Sequence, residues 1–190
     1  QKMSVYKGLA YQKVSFRESI WMTEGGRAER KRRKRRGEEK RQEDPMREDG
    51  KTVKGHILVV SQYFYPESFR INDIAKEWVK RGYKVTVVTG IPNYPQGKFF
   101  DGYDYTHGRC EKWNGIQIIR LPIIPRGSTA LGMAANFASF VVSGFLWKTV
   151  TDIRADYVFS FEVSPMTQVL VGTWYAKKQG IPHFVYVQDL

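Results

Sequence analysis

The stretch Ile57–Pro95, ILVVSQYFYPESFRINDIAKEWVKRGYKVTVVTGIPNYP, decides the fold. Residues 56–61 predict a strand, and the unbroken apolar run suits a parallel strand covered on both faces. A polar and aromatic loop follows. Ile71, Ile74, Ala75, Trp78 and Val79 then recur at i, i+3, i+4, i+7 and i+8, which is one apolar helical stripe. Gly82 supplies the stop, and Lys80 and Arg81 suit the negative end of the helix dipole. Val85–Thr89 predicts a second buried strand.

Working outward, Cys110–Trp113 and Ile116–Leu121 flank Asn114-Gly115, a pair that favours the positive φ angles of a type I′ turn, so a hairpin is expected. Residues 156–161 predict a strand, Met166–Gln179 a helix closed by Gly180, and His183–Val187 a further strand. Strands alternating with helices predict an α/β fold: a Rossmann-like, doubly wound parallel sheet. No internal repeat is evident.

The run Gly127–Trp147 carries no charge and is long enough to span a bilayer. Ser128, Thr129, Asn136, Ser139 and Ser143 interrupt it. Leu131, Ala134, Ala135, Ala138, Val141, Val142 and Phe145 form a helical stripe, so the expectation is a buried or membrane-surface helix, with a true span as the alternative.

The formal net charge of +12 is unevenly spread. Residues 1–55 hold 17 Lys/Arg and 9 Asp/Glu, a net of +8, and residues 56–190 hold 14 and 10, a net of +4. Residues 24–55 have almost no large apolar side chains, so they cannot offset the entropy of ordering, and disorder is expected. The expected division is therefore a basic extension, 1–55, and a domain, 56–190. Lys31–Arg36 suits nucleic acid, an anionic membrane surface, or plain solvation. The chain does not begin with Met and stops just after a strand, so it reads as a fragment at both ends. No secretory signal is apparent. The lone Cys110 excludes an internal disulfide and suits a reducing compartment, and with three histidines no zinc cluster is visible. A buried structural thiol is expected there.

In an open α/β sheet, ligands sit beyond the carboxyl ends of the strands. The loop after the first strand offers Glu67, Arg70, Asn72 and Asp73: a hydroxyl acceptor, a planar cation for phosphate or carboxylate, and further polar groups at a helix start that attracts anions. The alternative is a helix cap by Ser68 or Glu67. The loop Gly90–Pro95 offers the Asn93 amide and the flat Tyr94 ring for a sugar face, or is a plain turn. The third loop, Glu162–Pro165, contributes Ser164, and Asp189 follows the last strand. No G-x-G-x-x-G follows the first strand, which argues against NAD or FAD, and there is no Walker loop.

Taken together, SQYFYPESFRINDIAKEWVKRGYKVTVVTGIPNYP, the NGIQIIRLP hairpin, Ser164-Pro165 and the terminal Gln188-Asp189-Leu190 resemble the amino-terminal domain of family 4 glycosyltransferases. The likeness is to the branch that builds capsule, O-antigen and colanic-acid-type polysaccharides, including N-acetyl-L-fucosamine transferases. It covers roughly 56–190, and residues 1–55 have no counterpart. It implies a GT-B enzyme of two Rossmann-like domains, of which this is the first and incomplete. It also implies metal-independent, retaining transfer from a nucleotide diphosphate sugar to a lipid-linked saccharide, with no cofactor, at the inner face of the cytoplasmic membrane. Donor binding and the family's glutamate pair belong to a second domain, so this chain alone is expected to be inactive. One departure stands out: the glycine pair common in the family's first loop is Glu67-Ser68-Phe69-Arg70 here, with Arg70 as the substitute phosphate contact.

On this reading Glu67, Arg70, Asn72 and Asp73 line the acceptor cleft, Asn93 and Tyr94 meet acceptor sugar, and Ser164 and Asp189 close the floor; no general base is assigned. Nucleic acid is not among the implied partners. A rival reading sets a nucleic-acid-binding basic segment on an unrelated α/β body, and another a membrane-anchored scaffold.

Overall fold

The protein is described from a computed structural model, which covers residues 52–163 and 166–188. The expectations for the basic extension up to residue 51, including Lys31–Arg36, and those for Ser164 and Asp189 lie outside the described residues.

The strands are β1 (His56–Val60), β2 (Lys84–Gly90), β3 (Cys110–Trp113), β4 (Ile116–Leu121), β5 (Tyr157–Glu162) and β6 (His183–Val187). The helices are α1 (Arg70–Lys80), α2 (Ala130–Val150) and α3 (Val169–Gln179), the last preceded by a 3₁₀ turn, Met166–Gln168. One sheet has the order β3-β4-β2-β1-β5-β6, parallel throughout except for the β3–β4 hairpin. The hairpin turns on Asn114 (φ 50°) and Gly115 (φ 78°), both positive as a type I′ turn demands. This is the Rossmann-like α/β fold that the alternation of strands and helices predicts.

β1 lies at the centre, with Val59 level with Val87 on one side and Phe159 on the other. Successive side chains point to opposite faces. Ile57 and Val59 join Ile71, Ala75, Val85, Val87 and Phe161 on the α1 face. Leu58 and Val60 join Val88, Phe140, Val158, Val171 and Tyr175 under α2 and α3. Each fully buried aliphatic side chain contributes about 1.5–3 kcal/mol. This two-sided burial is why β1 and β2 are apolar without alternation. From β2 the chain moves outward to β4, and α2 then carries it back across the sheet to β5. The strand order therefore reverses at β1, and the carboxyl ends of β1 and β5 flank the crevice that such a reversal opens.

α2 buries one narrow face and leaves most of its apolar stripe outward. Its buried residues are Asn136, Phe140 and Gly144, while Leu131, Val142 and Phe145 of the expected stripe stand exposed. A polar group and a close approach select the buried face. The Asn136 amide accepts from Gln62 Nε2 at 2.7 Å and donates to the Ile124 carbonyl at 2.6 Å. A Cβ at Gly144 would lie 2.4 Å from Val171 Cγ2, so only glycine lets α3 approach this closely. Among the described residues α2 is the one helix long and apolar enough to cross a bilayer. Cys110 is also corrected: it is exposed on the outer strand β3, not buried.

Candidate functional site

The loops after β1 and β2 are joined by one buried carboxylate. Glu67 Oε1 accepts from the Asn93 and Tyr94 backbone N–H groups at 2.8 and 2.7 Å, and Oε2 accepts from Phe64 N–H at 3.3 Å. Burial pushes the Glu67 carboxyl up to about 7, against the pull of these three amides and the Arg120 charge. Glu67 does not cap α1: the N-cap position is Phe69, which makes no side-chain capping bond. Asn72 Nδ2 donates to the Glu67 carbonyl at 2.7 Å, and its buried Oδ1 has no partner. Asn93 is fully buried, with Nδ2 donating to the Ile91 carbonyl at 2.9 Å and Oδ1 accepting from Arg126 N–H at 2.8 Å. Three of the expected site residues thus fix loop positions through buried side chains.

Arg120 completes this frame. It is 1 % exposed although it sits on a strand, with its guanidinium 4.6 Å from the Tyr103 ring centre. It donates to the Tyr65 carbonyl at 2.7 Å and the Gly108 carbonyl at 2.9 Å, and pairs with Glu111. A lone arginine in IQIIRLP gives no sign of this, since its partners lie 9 to 55 residues away.

Above the frame lies an aromatic rim. Tyr63 stacks on Phe69 at 5.2 Å, and Tyr94 tilts against both at 5.4 and 5.5 Å. Tyr94 is 38 % exposed and presents a ring outward. Arg70, the first residue of α1, is exposed. Asp73 is exposed and paired with Lys76 at 2.8 Å, which holds its carboxyl below the usual carboxylate range.

At the crevice where strand order reverses is a second buried carboxylate, Glu162, at the end of β5. Its Oε2 accepts weakly from Gln168 Nε2 at 3.4 Å, and its buried Oε1 has no partner. Burial pushes this carboxyl up to about 7. Gln168 Oε1 accepts from Gln62 N–H at 2.6 Å, and the Gln62 amide reaches Asn136. A buried amide chain therefore runs from β5 through the first loop to α2. A carboxyl poised between charge states with an unmatched oxygen suits a hydroxyl-bearing ligand. Sequence reasoning placed Glu162 in the third loop but did not select it; its position directly after the apolar run of β5 was the available signal.

Among the described residues no group of three His, Cys, Asp or Glu side chains is arranged to hold a metal ion. At the opposite, amino edge, an open cleft of about 450 Å³ is bordered by Trp78, Tyr157, Phe159 and Phe184.

No family model matches this chain, and no curated protein matches it. Two solved structures of the C-terminal domain of a Pyrococcus furiosus hydrogenase are similar in part, each with a TM-score of 0.43 and 18% identity. The matches cover 75% and 76% of this chain, and 95% and 97% of the matched domains. A likeness at this level carries no argument about activity.

Proposed function

We propose that this chain is the acceptor-side domain of a glycosyltransferase, which transfers sugar with retention from a nucleotide diphosphate sugar to a lipid-linked saccharide in bacterial surface polysaccharide synthesis. The observation that carries the reading is the pairing, on one sheet edge, of the outward Tyr94 ring with the buried, unmatched Glu162 carboxyl. A sugar offers what both need: an apolar face for the ring and hydroxyls for the carboxyl. The quoted loop motifs support the same class. Tyr94 and Arg70 meet the acceptor, Glu67 and Asn93 hold the loops that present them, and Glu162 takes a sugar hydroxyl. On this reading donor binding falls to a second domain of the same enzyme class.

The exposed stripe of α2 supports a membrane-surface setting for the proposed activity. Leu131, Val142, Leu146 and Val150 are 59–80 % exposed, and Lys148 and Lys177 lie on α2 and α3 near its end. Apolar side chains beside lysines suit shallow, peripheral binding to an anionic membrane.

The test is binding by the whole chain. Titration with a panel of prenyl-diphosphate-linked saccharides should reveal at least one ligand, weakened tenfold or more by Tyr94→Ala and by Glu162→Gln. Failure of every saccharide in the panel would end the reading. Sedimentation with vesicles containing anionic lipid should fall on introducing Val142→Asp and Leu146→Asp together.

A further inference from the structure

Arg126 is held in an unusual way for a cation. Its guanidinium lies 5.2 Å from the Tyr94 ring centre and 5.9 Å from that of Phe137. Its guanidinium donates to the Met133 thioether at 3.3 Å, and a thioether is a weak acceptor. No carboxylate pairs with it among the described residues. The guanidinium carries five N–H donors in a planar fork, so most are unmatched. The backbone below it is fixed, because Arg126 N–H donates to the fully buried Asn93 side chain.

Tyr63 adds an independent observation. It is 4 % exposed, and its hydroxyl is buried without a hydrogen-bond partner. Burial raises its pKa, and the charge and hydrogen-bonding pull of the Arg126 guanidinium on the phenol oxygen act in the opposite sense, so the two groups are neighbours and the phenol O–H is left free to donate. An orphaned buried hydroxyl is costly and marks a place where a partner belongs. Here the unmatched groups are all donors: the guanidinium fork and the phenol O–H. Glu67, whose charge reaches Tyr63, already has both oxygens on backbone amides.

We propose that Arg126 and Tyr63 form a subsite for a phosphate-type anion, with Tyr94 as its apolar wall. Bidentate contact from a planar guanidinium matches a phosphate's oxygens, and the phenol supplies a third donor. Tyr94 is shared with the proposed sugar site, so the anion and a sugar bind side by side. That places the diphosphate of a prenyl-linked acceptor in this subsite. The assignment to the acceptor rests on the glycosyl-transfer reading; the anion subsite itself does not.

The experiment titrates the whole chain with three probes, inorganic pyrophosphate, geranyl diphosphate and UDP, and repeats each with Arg126→Lys, Arg126→Gln and Tyr63→Phe. Pyrophosphate should bind the wild type. Arg126→Gln should weaken it at least tenfold, Arg126→Lys less, and Tyr63→Phe three- to tenfold. Thermal unfolding should stay within a few degrees, because Tyr63→Phe keeps the ring that stacks on Phe69 and Arg126 forms no ion pair among the described residues. Geranyl diphosphate should bind more tightly than UDP, with the same dependence on Arg126. Pyrophosphate that fails to bind, or binds equally to all four proteins, overturns the subsite. UDP binding more tightly than geranyl diphosphate, through Arg126, overturns its place on the acceptor. If a lipid-linked saccharide binds while Arg126→Gln leaves every probe unchanged, the subsite falls and the glycosyl-transfer reading stands. If pyrophosphate binding depends on Arg126 while no saccharide binds, the subsite stands and that reading falls.

Discussion

Two buried carboxyls, Glu67 and Glu162, sit at neighbouring strand ends, and burial pushes both up to about 7. They reach that value by different balances. Glu67 is surrounded by three backbone N–H groups and feels the Arg120 charge, yet deep burial outweighs them. Glu162 has one long contact from Gln168 and leaves an oxygen unmatched. A shifted pKa therefore does not separate the two. Free hydrogen-bonding capacity does: Glu67 has spent its oxygens on the loops, whereas Glu162 keeps one for a ligand.

The largest effect is expected from Glu67→Ala. Removing the side chain orphans the N–H groups of Phe64, Asn93 and Tyr94, each costing about 1–3 kcal/mol when buried. Chemical denaturation should show a loss of about 3–5 kcal/mol, with faster hydrogen exchange at Asn93 and Tyr94. A loss below about 1 kcal/mol, within the reach of a single hydrogen bond, would show that Arg120 and the aromatic rim hold the loops without the carboxylate.

Glu162→Gln should act through pH. The folded protein holds this proton more tightly than the unfolded chain, since the pKa rises from 4.5 to about 7. Its stabilising contribution is thus full below the unfolded value and drains away as the pH climbs through the folded one. Glutamine does not titrate. The variant should gain on the wild type between pH 4.5 and about 7, by on the order of 3–4 kcal/mol at about 1.4 kcal/mol per pKa unit. Buried His56, pushed down to about 4, contributes an opposite trend, with stability lost as pH falls through the region from 6.5 to 4. That trend is common to both proteins and cancels in the difference. A difference that stays flat with pH would mean that water reaches Glu162 freely, and the contrast with Glu67 would fail.

How much of this was legible in sequence depends on separation along the chain. The helix α1 and the hairpin are local patterns, and their periodicity and Asn114-Gly115 predict them. Glu67 and Asn93 could be selected as loop residues, but their bond spans 26 residues and no local pattern shows it. Gln62, Asn136 and Gln168 read as ordinary polar interruptions until the fold brings them together. The inward face of α2 was not legible for the same reason: apolar periodicity marks the outward stripe, whereas an amide and a glycine decide the inward one. Gly144→Ala should therefore cost about 1–3 kcal/mol by overpacking against Val171, while Ala138→Leu on the outer face should stay within about 0.5 kcal/mol. Equal costs would reverse the assignment of faces.

The smallest effects on stability are expected at the rim, where the effects on ligand should be largest. Tyr94 is held in place by Tyr63, by Phe69 and by its own backbone bond to Glu67, so its ring is set before a sugar arrives. Arg70 is exposed at the start of α1 and must be ordered on binding, which costs side-chain entropy. Tyr94→Ala should therefore weaken a lipid-linked saccharide tenfold or more, and Arg70→Ala only about threefold, by the ordering cost that offsets its contact. Both should unfold within about 1 kcal/mol of the wild type, as partly exposed positions usually do. Titration and denaturation of the same preparations separate the two readouts. If Arg70→Ala costs more affinity than Tyr94→Ala, the preorganised ring is not the main contact, and recognition at this edge is led by charge.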